Sequence, residues 1–237
     1  MPDCTCGGLR VIGDIHGDAY ALVEAHADHP NAIQIGDFGL GFGRDAHLRR
    51  ALIQTGIRFF RGNHDNPKMC KDLPWHMPSG WHASDSLFVI GGGYSIDRAY
   101  RTAGRNWWPD EEHSEPEMRA LVEEFADTKP RLVLSHEAPD SVTDAMFNPT
   151  PKMVSRTATA LQAMYAAHQP DLWLFGHWHR GRELKQGNTL FVCVGEKKTR
   201  DIHLPTCPLF EQSATTSAAR IAARLVDIKR ASHAPAK

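Results

Sequence analysis

The chain has 237 residues, 41% of them apolar and 23% charged, which is enough for one sizeable core and unlike the composition of a disordered segment. Lysine and arginine total 27 against 28 aspartates and glutamates, a formal net charge of -1, which excludes a global pull toward nucleic acid or an anionic membrane. No apolar run is long enough to span a bilayer, and the polar segment Met1 to Arg10 lacks the basic and hydrophobic regions of a secretory signal.

Leu9-Arg10-Val11-Ile12 predicts a strand that runs straight into Gly13-Asp14-Ile15-His16-Gly17, and Ala19 to Ala27 predicts the helix after it. The unit repeats: Ala32-Ile33-Gln34-Ile35 enters Gly36-Asp37, and Ala46 to Thr55 is helical. Ile57-Arg58-Phe59-Phe60 leads through Arg61 into Gly62-Asn63-His64-Asp65, and Leu87-Phe88-Val89-Ile90 is a further strand. Tyr94 to Glu112, rich in Arg, Trp and Asp and without periodicity, reads as a long surface loop. Ser114-Glu115-Pro116-Glu117 has the form of a capping box with proline in the first turn and opens a helix to about Ala126. Leu132-Val133-Leu134 leads through Ser135 to His136, and Thr157 to His168 has the spacing of an amphipathic helix. Leu172-Trp173-Leu174-Phe175 enters Gly176-His177-Trp178-His179, and Leu190 to Val194 is a last strand. Strands alternating with helices imply an α/β fold with parallel pairing, organised as one domain over 1–205. The Ala/Ser/Thr-rich remainder, 206–237, predicts a C-terminal helix near Ala218 to Ala231 and a tail.

Five cysteines, Cys4, Cys6, Cys70, Cys193 and Cys207, are too scattered for a disulfide framework, so a reducing cytoplasm is expected. The informative count is 14 histidines, because imidazole is the commonest metal-binding side chain. Most of the polar clusters follow the C-terminal end of a strand, the edge where loops of an open α/β sheet converge on a ligand. Together they offer Asp14, His16, Asp37, Asn63, His64, Asp65, His136, His177 and His179. So many carboxylates and imidazoles at one edge would repel or desolvate one another without cations. One ion takes about four protein ligands or fewer. Seven are on offer with His64 and Asp65 set aside, which suits two divalent ions bridged by a carboxylate. The mixed oxygen and nitrogen donors favour Mn, Fe or Zn.

On Gly13-Asp14-Ile15-His16-Gly17, Gly36-Asp37, Gly62-Asn63-His64-Asp65, Ser135-His136 and Gly176-His177-Trp178-His179, in that order, the chain resembles the calcineurin-like metallophosphoesterases, and its loop from Tyr94 through Trp107-Trp108 looks like a feature of the small bacterial and phage type. The resemblance implies a four-layer α/β/β/α sandwich and hydrolysis of a phosphate ester by a water that two ions deprotonate near neutral pH. It implies that Asp14, His16 and His179 hold one ion and Asn63, His136 and His177 the other, with Asp37 bridging. It makes His64 the general acid for the leaving group, a role worth about a hundred- to ten-thousandfold. For Asp65 two readings stay open, orienting His64 or capping the turn. For Arg61 they are a grip on substrate phosphate, as in phosphoprotein phosphatases, or an arginine at a strand end.

The chain departs from the phosphoprotein phosphatases after Gly36-Asp37, where Phe38-Gly39-Leu40-Gly41-Phe42-Gly43 replaces the element that supports the acid histidine in those enzymes. These glycines suggest a tight or mobile loop rather than a phosphate cradle. The arginines of the Tyr94 to Glu112 loop could steer an anionic substrate, while Trp107-Trp108 is expected to cover the core edge rather than stack a base. The expected enzyme is a phosphodiesterase for small or cyclic nucleotides such as 2',3'-cyclic ones, with phosphomonoester hydrolysis alongside, two Mn ions as cofactors and no membrane partner. A protein phosphatase, and a nuclease needing a DNA-contacting cap for which 237 residues leave no room, are the alternatives, with nucleic acid not favoured at this net charge. A non-catalytic interaction module ranks last because every ligand and the acid histidine are present. The sequence leaves oligomeric state open.

Overall fold

The structure, a computed structural model, describes residues 8–27, 29–43, 45–149 and 154–202, so Cys4, Cys6, Cys207 and the expected helix within 206–237 lie outside the described residues. Strands β1 (Leu9–Ile12), β2 (Ala32–Ile35) and β3 (Arg58–Phe60) pair in parallel, and β10 (Thr199–Ile202) joins antiparallel to β1, giving the order β10-β1-β2-β3. The second sheet orders as β4 (Gly80–His82), β5 (Leu87–Ile90), β6 (Leu132–Ser135), β7 (Leu172–Phe175), β9 (Thr189–Cys193) and β8 (Arg182–Gln186). Its central four strands are parallel and both edges are antiparallel.

Alternation along each strand explains the layering. Leu9, Val11, Ile33 and Ile35 of the first sheet meet Leu87, Val89, Leu132, Leu134 and Leu174 of the second in one apolar cluster between the sheets. The alternate residues face outward. Ile12, Ala32 and Phe59 pack under α1 (Ala19–His26), α2 (Asp45–Thr55) and α3 (Pro67–Lys71), through Leu22, Leu48, Leu52 and Cys70. Phe88, Ile90, Val133, Trp173 and Phe175 pack under α4 (Glu115–Thr128), α5 (Asp140–Phe147) and α6 (Arg156–Ala167), through Phe125, Met146 and Leu161. The result is the expected α/β/β/α sandwich. Its seven foreseen strands and four foreseen helices in the described region all form, and the α4 capping box closes through Ser114 and Glu117. Within the described residues, no helix is long and apolar enough to cross a membrane.

The Tyr94 to Glu112 segment is the expected surface loop, held down at a few buried points. Ser95, Trp108, Glu111 and Glu112 are buried, and a 3-10 turn spans Arg98–Tyr100. Trp108 packs edge-on against Phe42, with ring centroids 5.2 Å apart, which agrees with a packing role for Trp108.

Candidate metal centre

All seven candidate ligands lie in the turns just past parallel strands: Asp14 and His16 after β1, Asp37 after β2, Asn63 after β3, His136 after β6, His177 and His179 after β7. The two sheets therefore present their C-terminal edges to one crevice. The turns are tight enough to force unusual backbone. Among the described residues eight non-glycines have positive φ, and four of these are His16 (44°), Asp37 (53°), His177 (66°) and His179 (57°). Each such conformation costs on the order of 1–3 kcal/mol and persists where its surroundings impose it. The glycines that precede ligands have a simple reason. A Cβ on Gly36 would enter the His136 ring, and one on Gly62 would enter the Asp37 carboxylate.

The donor atoms form two overlapping clusters, Asp14, His16, Asp37 and His179, and Asp37, His136 and His177, with the ligand atoms of each within 4.8 Å of one another. His16 Nε2 lies 3.0 Å from His179 Nε2, and His179 Nε2 lies 3.2 Å from an Asp14 oxygen. On the other side Asn63 Oδ1 faces His136 Nε2 at 3.0 Å and His177 Nδ1 at 2.9 Å, and His136 Nε2 is 3.1 Å from Asp37 Oδ1. Asp37 is thus the donor common to both halves.

These residues fit a pair of cations. Asp14 and Asp37 are buried carboxylates converging with imidazole nitrogens, an arrangement that concentrates lone pairs and needs positive charge. Protons meet part of that need. Burial alone would lower His136, yet the adjacent Asp37 raises it to about 10. Burial works against ionised Asp37, and the His136, His64 and His16 imidazoles more than offset it, holding the carboxyl well below its usual range. A hydrogen bond to Asp14 raises His179. A metal ion displaces such protons when its ligands close on it.

Several outer contacts fix the ligands. His136 Nδ1 donates to the Ile35 carbonyl at 3.0 Å, leaving Nε2 for the centre. Asn63 Nδ2 donates to Ser95 Oγ at 3.0 Å, and Ser95 is itself held by the Glu111 carboxylate, so the Asn63 oxygen must face inward. His177 Nε2 sits 3.1 Å from Glu137 Oε2, whose other oxygen accepts from Trp178 Nε1 and the Ala138 amide, both at 2.8 Å. Glu137 was not among the sequence candidates. Its signal was adjacency to His136, combined with the general need of a metal-binding imidazole for a carboxylate behind it.

The structure separates the three residues expected to act on substrate. His64 stands at the crevice, its ring centroid 5.0 Å from that of His16 and its amide donating to Asp37 Oδ1 at 2.8 Å. Arg101 donates from NH2 to His64 Nε2 at 2.8 Å and is anchored by Asp97, at 2.7 Å from its Nε. Burial pushes His64 down to about 4, with Asp37 pulling upward and Arg101 adding to the depression. Asp65 resolves in favour of capping. Its buried carboxylate accepts from the Phe38, Gly39, Leu40 and Gly62 amides, tying the glycine loop to the Asn63 turn, and burial raises it to about 7. No hydrogen bond joins Asp65 to His64 among the described residues. The glycine loop is accordingly tight. Arg61 departs from the phosphate-grip expectation, because its buried guanidinium donates to the Glu111 carbonyl and lines a pocket that none of the seven candidate ligands lines.

Comparison with known proteins agrees with this geometry. The calcineurin-like phosphoesterase family model matches residues 9–181. Among solved structures, a candidate 5'-nucleotidase from Staphylococcus aureus in complex with alpha-ketoglutarate is similar in fold, at 12% identity and TM-score 0.57, over 85% of this chain and 51% of that one. The chain thus spans about half the length of that structure. The phosphopantetheinyl hydrolase of Mycobacterium tuberculosis matches at 14% identity and TM-score 0.48, over 84% of this chain and 98% of its own. A predicted phosphoesterase from Streptococcus pneumoniae matches at 16% identity and TM-score 0.36, over 80% and 72% of the two chains. A search of curated proteins gave no match. The chain belongs to the calcineurin-like phosphoesterase family.

Proposed function

We propose that the enzyme is a phosphodiesterase for small or cyclic nucleotides, with phosphomonoester hydrolysis alongside, running on two Mn ions. The observation that carries this reading is the pair of donor clusters sharing Asp37 with His64 at their edge. Asp14, His16 and His179 would hold one ion, Asn63, His136 and His177 the other, and Asp37 both. When bound, the ions supply an activated water and offset charge on the phosphoryl oxygens.

The chain's own groups do the rest. Glu137 and the Ile35 carbonyl hold His177 and His136 in orientation. Ser95 and Glu111 do the same for the Asn63 amide. Arg101 grips a phosphoryl oxygen with the same NH2 donor that now contacts His64. That exchange frees His64 Nε2 to carry the proton that the leaving oxygen takes. Phe42 lies against the His64 ring, 5.7 Å between centroids and 13° from parallel, with Trp108 behind it. This aromatic wall beside the acid supports a leaving group with a flat face, such as a nucleoside. The near-neutral charge supports a small substrate over a polynucleotide. Free, buried Cys70 and Cys193 support a reducing compartment such as the cytoplasm.

The test is hydrolysis by the Mn-loaded protein of bis-p-nitrophenyl phosphate, 2',3'-cyclic nucleotides and a simple monoester, beside single-stranded DNA. Cyclic nucleotides should turn over fastest, and Asp37→Ala should lose activity on all of them. A preference for DNA, or an Asp37→Ala variant as active as the parent, would refute the reading.

A further inference from the structure

Behind the metal centre, on the far side of the Gly91-Gly92-Gly93 turn, lies a pocket of about 540 Å³. Gly93 faces Asn63, His136 and His177, whereas Gly91 and Gly92 abut the Arg61 side chain, so the turn divides the two sites. The pocket is lined by Arg61 and Lys71, by the imidazoles of His76 and His113, and by Ser79 and Glu117, with apolar residues between them.

Arg61 is the unexplained group. The residue is only 5% exposed, yet within the described residues its guanidinium makes one hydrogen bond, to the Glu111 carbonyl, and has no carboxylate oxygen within 4.0 Å. A guanidinium carries five donors, and a buried charge without a partner is costly. Asp65, Asp110 and Glu117 act on it only from longer range. Lys71, the second cation of the lining, adds to the mismatch. His76 and His113 are both depressed to about 4, first by burial and then by the Arg61 and Lys71 charges. Ser79 Oγ accepts from the Gly91 amide at 3.0 Å and contacts His113 Nε2 at 2.8 Å, which fixes these two polar groups in the lining. Several donors converge on a concave space with one carboxylate at its rim, and Glu117 is engaged there in capping α4. A tetrahedral oxyanion answers this arrangement, since a guanidinium grips two of its oxygens at once.

We propose that this pocket is a second oxyanion site, which binds inorganic phosphate or the phosphate of a small phosphomonoester between Arg61, Lys71, His76 and His113. It is distinct from the metal centre, and it stands whether or not the nucleotide reading above is correct.

Equilibrium dialysis of the Mn-loaded protein against radiolabelled inorganic phosphate should find two classes of site. Asp37→Asn should remove only the class at the metal centre. Arg61→Met and Lys71→Met should each weaken only the other class, by about fivefold or more, the scale of one partly screened charge contact. Lys71 is exposed, so its variant tests the site even if Arg61→Met fails to fold. The imidazole NMR signals of His76 and His113 should move as the second class fills. Phenylphosphonate displacing phosphate there more tightly than phosphate itself assigns the site to phosphomonoesters, and equal or weaker displacement assigns it to the free ion. A single class abolished by Asp37→Asn, or a second class indifferent to both Arg61→Met and Lys71→Met, overturns the proposal. Because dialysis needs no turnover, a protein that hydrolyses no ester but keeps the second class would sink the functional reading alone.

Discussion

The two halves of the candidate metal centre bring together similar donors in different surroundings. The half made by Asn63, His136 and His177 is closed, with the His136 and His177 side chains 0% and 11% exposed. It is backed by the Ile35 carbonyl, Glu137 and the Ser95-Glu111 pair. The half made by Asp14, His16 and His179 is open, with His16 and His179 24% and 44% exposed, and its outer support is slight. Glu196 stands 3.9 Å from His179 Nδ1, too far for a hydrogen bond. Pre-oriented ligands lose little entropy on closing around an ion, and loose ones lose more. The closed half should therefore hold its ion more tightly, and the open half should exchange its ion and meet the substrate.

The change that erases this difference is the largest. Asp37→Asn weakens the donor shared by both halves, so both ions should bind more weakly and turnover should fall on the order of 10⁴-fold or more, since paired ions supply several kcal/mol of charge stabilisation. Calorimetric titration with Mn checks it, and loss of one ion alone would show that Asp37 is not shared. Next in size is His64→Gln on the open side, expected to cost about a hundredfold or more with an alkyl leaving group and much less with p-nitrophenolate, which needs little proton assistance. Equal losses with both esters would argue that His64 positions the substrate instead. Smaller again is Glu137→Gln, which should weaken one ion of the two by about 10–100-fold and leave the other unchanged. If both ions weaken together, the halves are not independent.

The sequence carried much of this. Most parallel strands are apolar, short and run into polar clusters, so β1, β2, β3, β6 and β7 and the candidate ligands behind them were legible from local pattern. The antiparallel edge strands were not. β8 reads Arg-Glu-Leu-Lys-Gln and β10 reads Thr-Arg-Asp-Ile, mostly exposed, and their pairing depends on neighbours rather than on their own hydrophobicity. Asp65 illustrates a second limit. Its place beside His64 in sequence left orienting that ring and capping the turn equally open, and the side chain's direction favours the second, with the carboxylate turned onto the glycine loop. The residue that does contact His64 is Arg101, 37 positions away, on a segment whose lack of periodicity concealed its buried anchors. Arg61 points away from the crevice for the same reason, since motif position fixes the Cα and not the side chain's direction.

Across the Gly91-Gly92-Gly93 turn from the closed side lies the second pocket, and its histidines give the smallest predicted effect. His76 and His113 titrate near 4 in the folded chain because burial disfavours their charged forms, against about 6.5 when unfolded. Between those values the unfolded state binds more protons than the folded one, so stability should fall as pH drops from about 6.5 toward 4. Above 6.5 both states are neutral at these positions and the contribution vanishes. Thermal melts of the metal-free protein across that range should show the slope, and His113→Gln should flatten part of it by removing one titrating group. Phosphate should flatten it as well, because an anion between Arg61 and the imidazoles stabilises their protonated forms and brings the folded pKa values closer to the unfolded ones. A slope that persists undiminished in His113→Gln would mean that the acid sensitivity arises elsewhere, with the open half of the centre as the next place to look.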